Sequence, residues 1–513
     1  MPKNRALHFL AAVILLAGVL PAAASENPAT SSHLQPQLAQ LAALAPNQIV
    51  SVIVQKGTHD SSVEALATQL GGKITSDLWL INAFAAEIKV DRLPQLALAP
   101  GVKWISLDAS VHSSDGPDGT VNAASLVGVY NRVVGADKLW AEGYQGSPVT
   151  VAVVDSGWTG HEDFRATPSG GAMRLLTRVG FNGNETNLDD HAGHGDFVAG
   201  LIGGNGRKSS GQYIGMAPRV NLVSVKVSDQ DGQGSTSGIV SGLQWVYANR
   251  NTYHIRVVNL SLNSSVAESY RTSPLDAAVE ILWFNGIVVV VSAGNNGLIN
   301  GVLYPPANDP FVITVGATND MGTLTTADDK VAGYSASGNT EDGVKKPDLV
   351  APGTNLVGPL SSGGAYLSNS HPANQVNGTA YFRMSGTSVA APVVAGSVAL
   401  LLQAAPQLNP DQVKYRLLAT ANKNWPGYDP LRAGAGYLDA YAAVHGTTTE
   451  SANTGLLISQ LLTTGPNALS ASSVSWSSVS WSSVSWSSVS WSSVGWSSVS
   501  WSSVSWSSDY WEP

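Results

Sequence analysis

The sequence predicts an α/β fold, a mostly parallel central sheet with helices on both faces, preceded by a small α+β unit. Two observations carry this. From Pro148 onward, short β-branched runs alternate with segments of helical periodicity, the order expected when each strand is followed by a crossover helix. The strand runs are also nearly unbroken Val and Ile rather than alternating apolar and polar, as strands buried on both faces require.

In order, residues 149–154, 222–227, 256–260, 287–291 and 312–315 are the strand candidates of the larger unit. Helices are expected over 197–202, 237–248, 275–284, 389–403 and 410–420. In the smaller unit, 49–54 and 84–88 predict strands, 61–70 and 93–98 predict helices, and 100–108 closes the structure. In an open parallel sheet, functional groups belong at the carboxyl ends of strands, and Asp155 follows such a run directly.

A chain of 513 residues suggests about three units, and 43% hydrophobic residues can fill a large core. The net charge of −9 offers no basic surface, so no nucleic acid partner is expected. With no cysteine, disulfides, thiolate nucleophiles and cysteine-ligated zinc are excluded. At the N-terminus Lys3 and Arg5 precede an apolar run over 7–20 and then Pro21-Ala22-Ala23-Ala24-Ser25, which reads as a signal peptide over 1–24 and a secreted product. That run is shorter than the ~20 residues of a membrane span, and no later segment is expected to reach that length.

The C-terminal end differs in kind. Val-Ser-Trp-Ser-Ser repeats with period five place Val at 474, 479, 484, 489, 494, 499 and 504, with Gly495 replacing one Ser. An odd period flips the apolar face at every repeat, so no amphipathic strand results. Disorder, a surface-attachment tail and a five-residue solenoid all remain open, and the uncharged aromatic composition favours self-association.

Chemistry concentrates in Gly386-Thr387-Ser388-Val389-Ala390-Ala391-Pro392, where a hydroxyl stands at the start of an apolar helix. A serine is a weak nucleophile unless a base takes its proton and a third group orients that base. Asp155 and His194, in Gly193-His194-Gly195-Asp196-Phe197-Val198-Ala199-Gly200, are the partners available upstream. The order Asp, His, Ser is that of subtilisin. Together with Val154-Asp155-Ser156-Gly157 and Ser292-Ala293-Gly294-Asn295-Asn296-Gly297, these motifs resemble the subtilisin-like serine proteases (subtilases, peptidase S8 family) over roughly residues 136–444. The small unit before them resembles an inhibitor I9-type propeptide.

The resemblance implies a three-layer subtilisin-like fold and a secreted serine endopeptidase, made as a self-processed precursor and working through an acyl-enzyme. It implies Ser388 as nucleophile, His194 as base, Asp155 as its orienting acid and Asn295 as an oxyanion donor beside the Ser388 amide. Ser261, Leu262 and Asn263 would form one wall of the first specificity pocket, Ser292, Ala293 and Gly294 the other, and Gly234 would border the next subsites. Protein or peptide substrates are the implied partners, with the propeptide, residues 25–112, as intramolecular inhibitor. Residues 113–135 would hold the linker and the start of the mature enzyme, 136–446 the catalytic domain, and 447–513 a linker and the repeat tail, a region of cell-surface contact. Maturation is expected between His112 and Gly119.

No cofactor is required for such chemistry. Asp163 resembles a calcium ligand of the family, but the loop that would complete the site carries Arg207 and Lys208, so no calcium site is assigned. Two residues depart from the family pattern: Asp196 stands where Thr is usual, and Asn263 where Gly is common. Two rival readings stay open, an inactive subtilase-like surface-binding protein displayed through the Trp-rich tail and a metal-dependent hydrolase built on His191 and His194.

Overall fold

The computed structural model describes residues 33–113, 128–167, 170–181, 187–297, 301–361, 365–376, 378 and 380–463. The signal peptide and the pentad repeats predicted above lie outside these.

The small unit holds α1 (Pro36–Leu44), β1 (Ile49–Lys56), α2 (Ser62–Gln69), β2 (Lys73–Leu78), β3 (Ala83–Lys89), α3 (Leu93–Ala97) and β4 (Val102–Leu107). Its antiparallel sheet has the order β2-β3-β1-β4. Alternation along β1 buries both faces: Val52 and Val54 pack with Leu38, Val63 and Leu93 of the helices, whereas Ile53 joins Leu78, Ile81 and Ala85 in the core of the larger unit. The expected strands and helices of this unit are present. β2 and α1 were not predicted, because the residues of β2 are mostly exposed and its Lys-Ile-Thr-Ser-Asp run carries no apolar alternation.

A short strand, β5 (Ser110–Ser113), then leaves the small unit. The larger unit follows with β6 (Thr150–Asp155), β7 (Leu175–Gly180), α4 (His194–Gly203), β8 (Asn221–Lys226), β9 (Gln233–Ser235), α5 (Thr236–Asn249), β10 (Ile255–Leu260), β11 (Leu262–Ser264), α6 (Pro274–Phe284), β12 (Val288–Ser292), β13 (Ile313–Asn319), β14 (Lys330–Val331), β15 (Leu349–Pro352), α7 (Thr387–Ala404) and α8 (Pro410–Thr420). The central sheet runs β14-β13-β12-β10-β6-β8-β7, with β15 also paired to β13. Every pairing is parallel except β13 with β14. α4 packs with α7 and α5 with α6, which completes the three-layer subtilisin-like arrangement.

Helix α7 corrects one expectation. It is long and apolar enough to cross a membrane on length and composition, yet it is buried as the core helix of the larger unit. Residues 447–463, read from composition as linker, pack against the same body. Asn453 donates to Asp411 Oδ1 at 2.7 Å, the Ser459 amide reaches the Glu280 carboxylate at 2.8 and 3.0 Å, and Leu461 and Leu462 are buried.

Candidate active site

Strand β6 ends on Asp155, and α4 begins on His194, so two unrelated elements deliver their first functional side chains to one point. Gly193 caps α4 in the left-handed region at φ 92°, where a Cβ would also strike Ala365 Cβ at 2.7 Å. A Cβ at Gly195 would meet the Gly157 carbonyl at 2.4 Å. Close approach thus requires both glycines flanking His194, Gly193 against Ala365 and Gly195 against the turn after β6. His194 Nδ1 lies 2.7 Å from Asp155 Oδ1, and the two side chains are 2% and 5% exposed. The Ser156 amide donates to the same Asp155 oxygen at 2.8 Å and fixes the carboxylate.

Ser388 is the second residue of α7, in the first turn where amides have no acceptor inside the helix. Pro392, four residues on, has no N–H to give the Ser388 carbonyl. The Ser261 hydroxyl supplies that hydrogen bond at 2.8 Å and itself accepts from Asn259 Nδ2 at 2.9 Å. Ser261 also lines the cleft bordered by Asp155, His194, Gly234 and Leu262.

Asn295 is held from the other side. Its Oδ1 accepts from the Thr387 amide at 2.9 Å and the Thr387 hydroxyl at 3.0 Å, while Gly294 N donates to that hydroxyl at 3.0 Å. With the carbonyl end of the amide committed, the orientation of Nδ2 is set. Thr387 was not singled out from the sequence, although it sits inside the serine motif.

The pocket walls are joined. Asn263 Nδ2 donates to the Ser292 carbonyl at 3.0 Å, and the Ser292 hydroxyl lies 3.4 Å from Asn263 Oδ1, so the side chain at the departing position bridges the two expected walls. Ala293 is buried beside them, and Gly294 adopts φ 102°.

Strand β5 occupies the groove beside this site, antiparallel to β9 and β11. Val111 lies opposite Gly234 and Ser264, and His112 opposite Gln233 and Asn263. Val111 is 2% exposed and lines the cleft with His194 and Asp155. Upstream, Asp108 accepts from the Ser237 amide at 2.8 Å and its hydroxyl at 2.6 Å, placing a carboxylate at the N-terminus of α5. Gln244 of α5 accepts from Leu80 N at 2.8 Å. Sequence reasoning missed β5, because no pattern within four residues announces a strand completed only by its partners.

Both carboxylate oxygens of Asp163 are engaged within the protein. Its carboxylate accepts from Lys208 N at 2.8 Å and Tyr381 Oη at 2.7 Å. His191 Nε2 lies 2.7 Å from Asn187 Nδ2. Among the described residues, no group of three or more His, Cys, Asp or Glu side chains is arranged to hold a metal. Asp196, whose orientation the sequence left open, is fully buried. Burial, then the charge of Asp190, pushes its carboxyl up to about 7, and burial also raises Asp190.

Residues 146–437 match the sequence profile of the subtilase family, peptidase S8. The chain is 39% identical over 418 residues to serine protease AprX of Bacillus subtilis, covering 77% of this chain and 88% of the relative. It is 32% identical over 361 residues to subtilisin E of the same organism, covering 69% of this chain and 79% of the relative. Among solved structures, its fold is similar to that of fervidolysin from Fervidobacterium pennivorans, described as a keratinolytic enzyme related to subtilisin. The TM-score there is 0.59 at 24% identity, over 79% of this chain and 62% of that one.

Proposed function

The chain belongs to the subtilase family and is a serine endopeptidase; on that premise we propose that Ser388 is its nucleophile, His194 its base and Asp155 the group that orients the imidazole. The observation that carries this reading is the buried 2.7 Å contact of His194 Nδ1 with Asp155, opening on a cleft already filled by an extended segment of the chain. Substrate adds as a strand between β9 and β11 through main-chain hydrogen bonds, with Gly234, Ser261, Leu262 and Asn263 along one side and Ser292, Ala293 and Gly294 closing the first pocket.

In the first half-reaction Ser388 Oγ attacks the scissile carbonyl as His194 Nε2 takes its proton. The carbonyl oxygen becomes an oxyanion held by the Ser388 amide and Asn295 Nδ2. His194 returns the proton to the leaving amine, and the peptide bond breaks to leave an acyl-enzyme on Ser388. Water, deprotonated by the same imidazole, then releases the acid and restores the serine hydroxyl. No cofactor enters these steps. Structural calcium is not part of the proposal.

The precursor is read as secreted through residues 1–24 and held inactive by residues 25–112, whose β5 strand lies where substrate would lie. Self-cleavage between His112 and Gly119 then frees the mature enzyme. A Ser388→Ala chain made alone tests both halves: it is expected to accumulate as uncut precursor without hydrolysing casein. Normal self-processing or casein hydrolysis by that variant would refute the assignment.

A further inference from the structure

Asp155 is the first of three buried carboxylates that stand in a row joined by two hydroxyls. Ser156 Oγ lies 3.2 Å from Asp155 Oδ1 and 2.7 Å from Asp190 Oδ1. Ser361 Oγ lies 3.2 Å from Asp190 Oδ2 and 2.7 Å from Asp196 Oδ2. Backbone donors add Gly193 N and Asp196 N on Asp190, both at 2.8 Å, Thr159 N at 3.1 Å and Gly160 N at 3.3 Å on Asp196 Oδ2, and Gly195 N on Ser156 Oγ at 2.9 Å. Asp190, Asp196, Ser156 and Ser361 are each at most 3% exposed.

Two hydroxyls own two hydrogens, yet they make four oxygen–oxygen contacts with carboxylates. With Ser156 donating to Asp190 and Ser361 to Asp196, the 3.2 Å contact of Ser361 with Asp190 Oδ2 opposes lone pair to lone pair unless a carboxyl proton occupies it. Among the described residues, neither Asp190 nor Asp196 makes an ion pair with Lys or Arg. Around the pair stand Asp155, His161 in the turn after β6, Asp189 and His191 in the loop before α4, His194 itself, Arg178 on β7 and Lys226 on β8. The two cations are turned to Asp189, Arg178 to its carboxylate at 2.7 Å and Lys226 to its carbonyl at 2.7 Å.

We propose that Asp190 and Asp196 share one proton through the Ser361 hydroxyl, and that Asp196 is thereby a positioning residue that sets the charge behind the catalytic imidazole. This deepens the reading above and rests on His194 as the base. At low pH the pair is half-neutralised and the imidazole faces two negative charges, Asp155 and the one left on the pair. As pH rises the shared proton leaves, a third negative charge faces the imidazole from behind, and the imidazolium formed during acyl transfer is further stabilised. Desolvation and the mutual repulsion of the two carboxylates act in the same direction, bringing that loss to near-neutral pH.

The test uses the full chain with Asp196→Asn and, should the amide not fold, Asp196→Thr. In the active enzyme, kcat/KM for a peptide substrate should fall severalfold at its plateau, because the imidazolium of acyl transfer loses that stabilisation, and the acid limb should move about one unit to lower pH, because a neighbouring negative charge is gone. In a Ser388→Ala background, free of self-digestion, the gain in unfolding midpoint from Asp196→Asn should grow as pH rises from about 4 to about 7 and level off above, the window set by a raised carboxyl. The stability arm reports on the shared proton even if Ser388 is not the nucleophile. An unmoved acid limb together with a pH-independent stability difference would overturn the proposal.

Discussion

The Ser261 hydroxyl donates to the main-chain carbonyl of Ser388 at 2.8 Å, the carbonyl that Pro392 leaves without a helical donor. A helix breaker inside the serine motif and a serine on the neighbouring strand end are therefore one device. It sets the first turn of α7 against the cleft wall and fixes the backbone from which the nucleophile projects.

Ser261→Ala leaves that buried carbonyl unsatisfied. Its cost in stability should be about 1–3 kcal/mol by urea unfolding. If the bond positions the nucleophile, kcat should fall about ten- to a hundredfold, since a misplaced reactant is penalised steeply. Unchanged kcat on a peptide substrate would confine the bond to a packing role.

Asn295→Ala removes the amide that Thr387 orients. The expected loss is about a hundred- to a thousandfold in kcat with little change in KM, a magnitude established on a subtilisin for an oxyanion donor. Thr387→Val should lower kcat by less, through loss of the hydroxyl that holds Asn295 Oδ1 at 3.0 Å. A rise in KM alone would instead make Asn295 a ground-state binding residue.

Val111→Asp puts a charge into a position 2% exposed in the groove. An unpaired buried carboxylate costs several kcal/mol, so docking of β5 should fail and conversion of precursor to mature enzyme should slow by about a hundredfold or more on a gel time course. Val111→Ile should mature normally. Equal rates for Val111→Asp and the parent would separate β5 from self-processing.

Glu280 is buried on α6 beside Asp309, and desolvation, then the Asp309 charge, raises its carboxyl well above 4.5. Asp309 itself is pushed up to about 6 by burial, against the opposing pull of Lys346. A folded-state pKa above the unfolded one means that the contribution is present below 4.5 and lost as pH rises through the folded value. Glu280→Gln retains an acceptor for Ser459 N, so its unfolding free energy relative to the parent should improve as pH rises above 4.5. A constant difference across that range would show that Glu280 does not titrate with folding.

The sequence made the buried parts of the fold legible. β6, β8, β10 and β12 are covered on both faces, so Val, Ile and Leu dominate them, with Ser224 and Lys226 in β8 and Arg256 and Asn259 in β10 among the polar exceptions. β7 alternates between exposed and half-buried positions at the sheet edge, and β14 and β15 are only two and four residues long, too short for a periodic signal. Helix α4 begins at His194, three residues before the predicted start, because the glycines demanded by close approach mask helical periodicity there. At the site, the motif residues were legible because each sits in its own local pattern. The Thr387 clamp, the bridging role of Asn263 and the Ser361 link between Asp190 and Asp196 join positions 29 to 171 residues apart, and no local pattern encodes them.

The most direct test is mass spectrometry of the mature enzyme after treatment with a serine-directed phosphonylating reagent, with peptide hydrolysis followed in parallel. A single adduct on Ser388, complete loss of hydrolysis, and no labelling in His194→Ala is the predicted result. An adduct elsewhere that abolishes hydrolysis, or full hydrolysis by a chain modified at Ser388, would contradict the account.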